Sequence, residues 1–167
     1  SGPAAVAKVS LPISDLVVVN GAATLELAVW ALLVAMIVGI PLGLFAATHR
    51  DRVPDVVLRL LAVLFYAAPV FFVGMLLKLL FSVKLGWLPA SGRFSASTEI
   101  ALAGVRPQTH IAIVDAILYG NSTYVVDVLK HAVLPALALG LLTAGVFLRL
   151  VRVNMLQTLR AGYVLSL

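Results

Sequence analysis

Few side chains in this chain could carry out chemistry. Among 167 residues there are seven Asp and Glu, three His and no Cys. Without Cys there is no thiol nucleophile, no disulfide and no Cys-based zinc site. No H-E-x-x-H, no G-x-S-x-G and no phosphate-cradling G-x-x-x-x-G-K-[ST] occurs. Metalloprotease, serine-hydrolase and Walker-type nucleotide chemistry therefore lack their residues. His110 and His131 read as unpaired with a carboxylate at ligand spacing, and no Asp or Glu is expected in the middle of a helix. The sequence thus implies no catalytic residue, no metal and no cofactor.

The polar residues that remain lie against apolar stretches. Glu26 is expected in the first turn of a spanning helix, where a carboxylate favours the positive end of the helix dipole. Lys78 is expected near the end of a second one, where a long stem lets the ammonium reach the interface. Arg149 and Arg152, one turn apart, and Arg160 beyond them read as cytoplasmic anchors at the end of a third. Pro69 sits between Tyr66 and Phe72. A proline at bilayer depth must be covered by protein or line a cavity, so it marks either a bend on a translocation path or a kink inside a bundle. Tyr66, Pro69 and Phe72 are the candidates for such a path. Gly39, Gly43, Gly140 and Gly145 are candidates for helix packing, because small residues let helices approach closely in lipid.

Three apolar runs must position these residues. Leu27–Thr48 is 22 residues without a charge, Leu60–Leu77 is 18 and Ala132–Leu148 is 17. A helix rises about 1.5 Å per residue across a hydrocarbon core of roughly 30 Å, so about 20 residues cross it. Hydrophobic residues make up 62% of the chain, charged residues 11%, and mean hydropathy is +1.12. Soluble domains hold about 25% charged residues, so a water-soluble interior is excluded. The net charge of +5 does not indicate nucleic acid, because the basic residues flank the apolar runs as membrane anchors do.

The expected fold is all-α: a polytopic transmembrane bundle with spanning helices at about 24–48, 56–83 and 128–160. Residues 1–20 form an extended extracytoplasmic lead-in, with Pro3 and Pro12 opposing helix, Asn20-Gly21 as a turn and Thr24 as N-cap. Residues 84–127 form an outer loop holding one short interfacial helix near 111–118. Arg50, Arg52, Arg59, Arg149, Arg152 and Arg160 cluster in two short flanks, whereas the other six cations are dispersed. The positive-inside rule weights short flanks, which puts the first connection and the C-terminal end in the cytoplasm.

Several segments, taken in order, resemble one family. Thr24-Leu25-Glu26-Leu27-Ala28 followed by Gly39-Ile40-Pro41-Leu42-Gly43 resembles the second transmembrane helix of bacterial dipeptide/oligopeptide ABC-transporter permeases. Leu85-Gly86-Trp87-Leu88-Pro89-Ala90-Ser91-Gly92-Arg93 is similar to the loop after their third helix. Asp115, Gly120-Asn121, Asp127, His131 and Leu134-Pro135-Ala136-Leu137-Ala138-Leu139-Gly140 follow the order of the peptide branch around its fourth helix. Arg149 to Tyr163 resembles the stretch leading to the coupling loop, and Pro12 to Leu16 the segment ahead of helix two.

The resemblance implies the middle of a permease, without the family's first helix, last two helices and coupling loop. It further implies a multi-pass inner-membrane location, inward transport by alternating access, and four partners. These are a second homologous permease subunit, two ATP-binding subunits and an extracytoplasmic substrate-binding protein. The alternative is a truncated, non-transporting membrane scaffold whose glycine faces bind sister subunits. Dipeptide, oligopeptide, glutathione and nickel all remain open as substrates.

Overall fold

A computed structural model describes residues 13–104 and 109–164. The first twelve residues of the expected lead-in lie outside the described residues. The described residues form six α-helices: α1 (Ile13–Thr48), α2 (Val53–Ala67), α3 (Val70–Leu77), α4 (Ala96–Ala103), α5 (Ala112–Tyr119) and α6 (Ser122–Val164). A π-helical turn, Lys78–Lys84, continues α3. The described residues contain no strand.

α1 begins at Ile13, not at Thr24. Asn20-Gly21 is inside the helix rather than in a turn, and the Thr24 hydroxyl donates back to the Asn20 carbonyl at 2.8 Å instead of capping. The apolar sequence Leu16–Val19 extends the helical run one face further than the turn signal allowed, and a lone glycine costs a helix only about 1 kcal/mol. Among the described residues two helices are long and apolar enough to cross a membrane, Leu16–Thr48 of α1 and Ser122–Thr158 of α6.

α1 and α6 run parallel and form the centre of the fold. On α1, Ala31, Ala35, Gly39, Gly43 and Ala47 repeat at every fourth residue, and on α6, Ala136, Gly140, Ala144 and Leu148 do the same. Residues four apart share one helix face, so each helix presents a flat stripe and the stripes meet. A Cβ at Gly39 would lie 2.7 Å from the Ala144 carbonyl oxygen, and one at Gly140 would lie 2.6 Å from the Val34 side chain and 2.9 Å from the Ala31 carbonyl oxygen. A Cβ at Gly43 would lie 2.8 Å from Val151. The interior is accordingly built of alanines, with Ala35 and Ala46 wholly buried. The large apolar side chains, such as Ile37, Leu60, Phe71 and Met75, point outward, as lipid-facing residues do.

The second expected span is not one helix from 56 to 83. It breaks at Ala68–Pro69, where both residues are extended, and the axes of the two pieces are bent by 105°. Pro69 cannot donate to a helical carbonyl, and it pushes Ala68 out of helical geometry. The two pieces nevertheless track α6 in the opposite sense. Asp55 meets Arg152, a Cβ at Gly145 would lie 3.0 Å from the Ala62 carbonyl oxygen, and one at Gly74 would lie 3.8 Å from Ala138. From Arg152 to His131, beside which Lys78 lies, α6 rises about 30 Å.

Residues 84–127 carry two short helices, not one. α5 matches the expected interfacial segment, whereas α4 has no apolar period strong enough to announce it. α6 starts at Ser122, earlier than expected. Together α4, α5 and the loop before α4 form a cap over one end of the α1–α6 pair.

Candidate functional site

The end opposite the cap is organised by one carboxylate. Asp55, in the first turn of α2, has no exposed surface. Its Oδ1 accepts from Arg152 Nε at 2.6 Å, and its Oδ2 accepts from Arg152 Nη2 at 2.7 Å and from the Asp51 amide at 3.1 Å. Arg59 lies 3.6 Å away on the next turn. This bidentate pair fixes the α1–α2 connection, α2 and α6 to one another, and such forked pairs set geometry as well as energy. Arg152 is therefore not a free headgroup anchor: its guanidinium is held by Asp55. The Arg160 side chain lies outside the described residues.

Between α2 and α6 runs an open groove of about 650 Å³, walled by Ala62, Val63, Tyr66, Gly145 and Val146, with Arg59 and Arg149 at its edge. Tyr66 lines this groove and is 76% exposed. Pro69 and Phe72 do not line it: Pro69 forms the corner and Phe72 lies beyond it on α3. Gly39, Gly43 and Gly140 lie at the α1–α6 contact, and Gly145 lies between α6 and α2.

The cap is held by carboxylates reaching from the long helices. Glu26 is midway along α1, not in its first turn, and it serves a different helix. Ile111, the N-cap of α5, has no side-chain acceptor, so the first amides of α5 lack a local partner. Glu26 Oε2 accepts from the Ala112 amide at 3.0 Å and Oε1 from the Ile113 amide at 2.9 Å, while Arg93 Nη2 donates to Oε2 at 2.8 Å.

Asp127 of α6 does the same for α4. Its Oδ2 accepts from the Ser95 amide and hydroxyl, both at 2.8 Å, and from the Thr98 hydroxyl at 2.6 Å. His131, four residues on, places Nδ1 2.8 Å from the Asp127 carbonyl and 3.4 Å from its carboxylate. The reading of His131 as unpaired is thus corrected, as is that of a chain without mid-helix carboxylates. The spacing Asp127-x-x-x-His131 is visible in the sequence, but the match of Glu26 to α5, 86 residues away, leaves no local signal. Glu26→Ala should strip two helix-end amides of their acceptor, worth about 1–3 kcal/mol. Hydrogen exchange at Ala112 and Ile113 should accelerate while exchange in the α1–α6 contact stays slow.

These contacts hold the fold together, and none of them assembles a reacting centre. Among the described residues no group of three His, Asp or Glu could hold a metal ion.

Comparison with known proteins places this helical arrangement. The family model described as the binding-protein-dependent transport system inner membrane component matches residues 39–167. The chain is 38% identical over 145 residues to the peptide transport system permease protein SapB of Salmonella typhimurium, covering 85% of this chain and 44% of that protein. It is 35% identical over 157 residues to the dipeptide transport system permease protein DppB of Escherichia coli, covering 94% and 46%. It is also 34% identical over 145 residues to the Escherichia coli protein named putrescine export system permease protein SapB, covering 85% and 44%. The chain spans somewhat under half the length of these relatives. No solved structure gives a significant match. A family match that takes in the glycine-bearing half of α1, the broken pair and the whole of α6 assigns the chain to the inner-membrane components of binding-protein-dependent transport systems.

Proposed function

We propose that the chain forms part of the membrane pathway of an ABC importer for di- or oligopeptides, acting by alternating access. The observation that carries this reading is the 38% and 35% identity to proteins named as peptide and dipeptide permeases, over most of this chain. The fold supports it. A tight parallel pair, α1 and α6, supplies a rigid wall, and the broken α2–α3 pair, joined to it by the Asp55–Arg152 clasp and by the packing of Leu58 and Ala62 against Ala46 and Leu148, supplies a wall able to hinge at Pro69. In this reading the pair crosses the membrane once, the Asp55–Arg152 end is cytoplasmic, and the cap meets an extracytoplasmic binding protein. Tyr66, Pro69 and Phe72 belong to the moving wall facing the path. Arg149 and Arg160 flank the approach to two ATP-binding subunits, and a second homologous permease subunit completes the path.

The test is uptake of a labelled dipeptide by cells carrying the protein at its own locus, with a labelled polyamine in parallel. Peptide accumulation that disappears when the associated ATPases are deleted is the expected result. Accumulation of the polyamine alone, or peptide uptake indifferent to the ATPases, contradicts the proposal.

A further inference from the structure

Lys78 opens the π-helical turn at the cap end of the α2–α3 pair. π turns are rare and concentrate at functional sites. Lys78 lines a pocket of about 310 Å³, at the lower end of the range that encloses small ligands. Gly74 and Lys78 form one wall, Ser91 and Gly92 of the loop a second, and His131 and Pro135 of α6 a third.

The charged groups nearby are engaged elsewhere. Arg93 donates to Glu26 at 2.8 Å and to the His110 carbonyl at 3.2 Å, and Asp127 accepts from Ser95 and Thr98. His131 uses Nδ1 on Asp127, and its Nε2 has no partner among the described residues. The Lys78 ammonium likewise has no hydrogen bond or ion pair among the described residues. Pro135 has no N–H to return to the His131 carbonyl, so the third wall also lacks one helical donor. Gly92, at φ 91°, holds the loop in a left-handed conformation; a Cβ there would lie 3.3 Å from the Phe94 carbonyl oxygen and 3.8 Å from the His131 ring. The result is an open pocket with one unneutralised cation and acceptors on the facing wall. That is the complement of a small molecule bearing both a carboxylate and N–H donors.

We propose that this pocket receives the C-terminal carboxylate of a short peptide on its way through, with Lys78 as the counter-charge. The inference rests on the peptide-import reading and names the contact that reading lacks. Lys78 is itself exposed, and it lines this open pocket together with the 89–92 loop and α6.

The test uses the complete transporter in proteoliposomes with its binding protein and ATPases, comparing wild type, Lys78→Gln and Lys78→Arg. Dipeptide uptake at limiting substrate is measured beside ATPase stimulation by peptide-free binding protein. Loss of a charge-assisted contact corresponds to roughly a tenfold or greater change. Lys78→Gln should therefore lower uptake about tenfold, Lys78→Arg should stay within about twofold of wild type, and ATPase stimulation should be unchanged in both. An unaffected Lys78→Gln overturns the pocket while leaving the import reading standing. Equal loss of uptake and of ATPase stimulation overturns it in favour of a contact with the binding protein. A defect seen only in vesicles of anionic lipid overturns it in favour of a headgroup. A wild type that takes up no peptide overturns the import reading and the pocket with it.

Discussion

Asp55→Ala is expected to be among the most damaging single changes in the molecule, costing about 3–5 kcal/mol in a thermal or detergent-denaturation series. The carboxylate has no exposed surface and takes both forks of Arg152, along with the amide of Asp51. Removing it leaves a guanidinium largely out of water and an amide without an acceptor, with α2 held to α6 by packing alone. The sign of the double variant separates a structural clasp from a functional charge. Replacing a buried pair with apolar residues is often close to neutral, so Asp55→Leu with Arg152→Met should recover most of the lost stability. If Asp55→Ala cost under about 1 kcal/mol, the range of exposed pairs, the clasp would not be structural.

Gly39→Leu should be comparably severe. The first added carbon already lies 2.7 Å from a backbone carbonyl oxygen of α6, and backbone in a packed helix cannot move aside as a flexible side chain does. Overpacking of ordinary cores costs about 1–3 kcal/mol and occasionally more, and this site belongs at the upper end. The control lies in the same helix: a Cβ at Gly21 would meet nothing within 4 Å. Gly21→Leu removes a poor helix former and should leave stability unchanged or raise it slightly. Thermal melting of the purified protein in detergent distinguishes the two, and equal behaviour would remove the α1–α6 stripe from the account.

The elements were more legible than their boundaries. Leu27–Thr48 and Ala132–Leu148 announce α1 and α6 by apolar length alone, because lipid imposes a minimum run on any spanning helix. Pro69 announces the interruption of the second span, but a proline fixes only where a helix must break, not how sharply the pieces turn. The early start of α1 was hidden by Asn20-Gly21, a turn signal overridden by the apolar residues on both sides. α4 was hidden because its stability comes from Asp127, far along the chain, and not from an amphipathic pattern of its own. Glu26 and Asp127 illustrate the general limit. A carboxylate that caps a distant helix looks, in sequence, like an ordinary helix residue. The fourfold spacing of small residues from Ala31 to Ala47 was readable throughout and extends well beyond Gly39 and Gly43.

In the proposed arrangement α1, the broken α2–α3 pair and α6 each cross the membrane, with the pair running against the other two. The chain contains no cysteine, so single cysteines report sidedness without background. Arg52→Cys lies in the exposed connection before α2, and Ala96→Cys lies on the exposed surface of the cap. With a membrane-impermeant maleimide on intact cells, labelling is expected at Ala96→Cys alone, and at Arg52→Cys only after the membrane is opened. Labelling of both positions from the same side would mean that the segment bent at Pro69 enters and leaves by one face, and the three-crossing arrangement would be wrong.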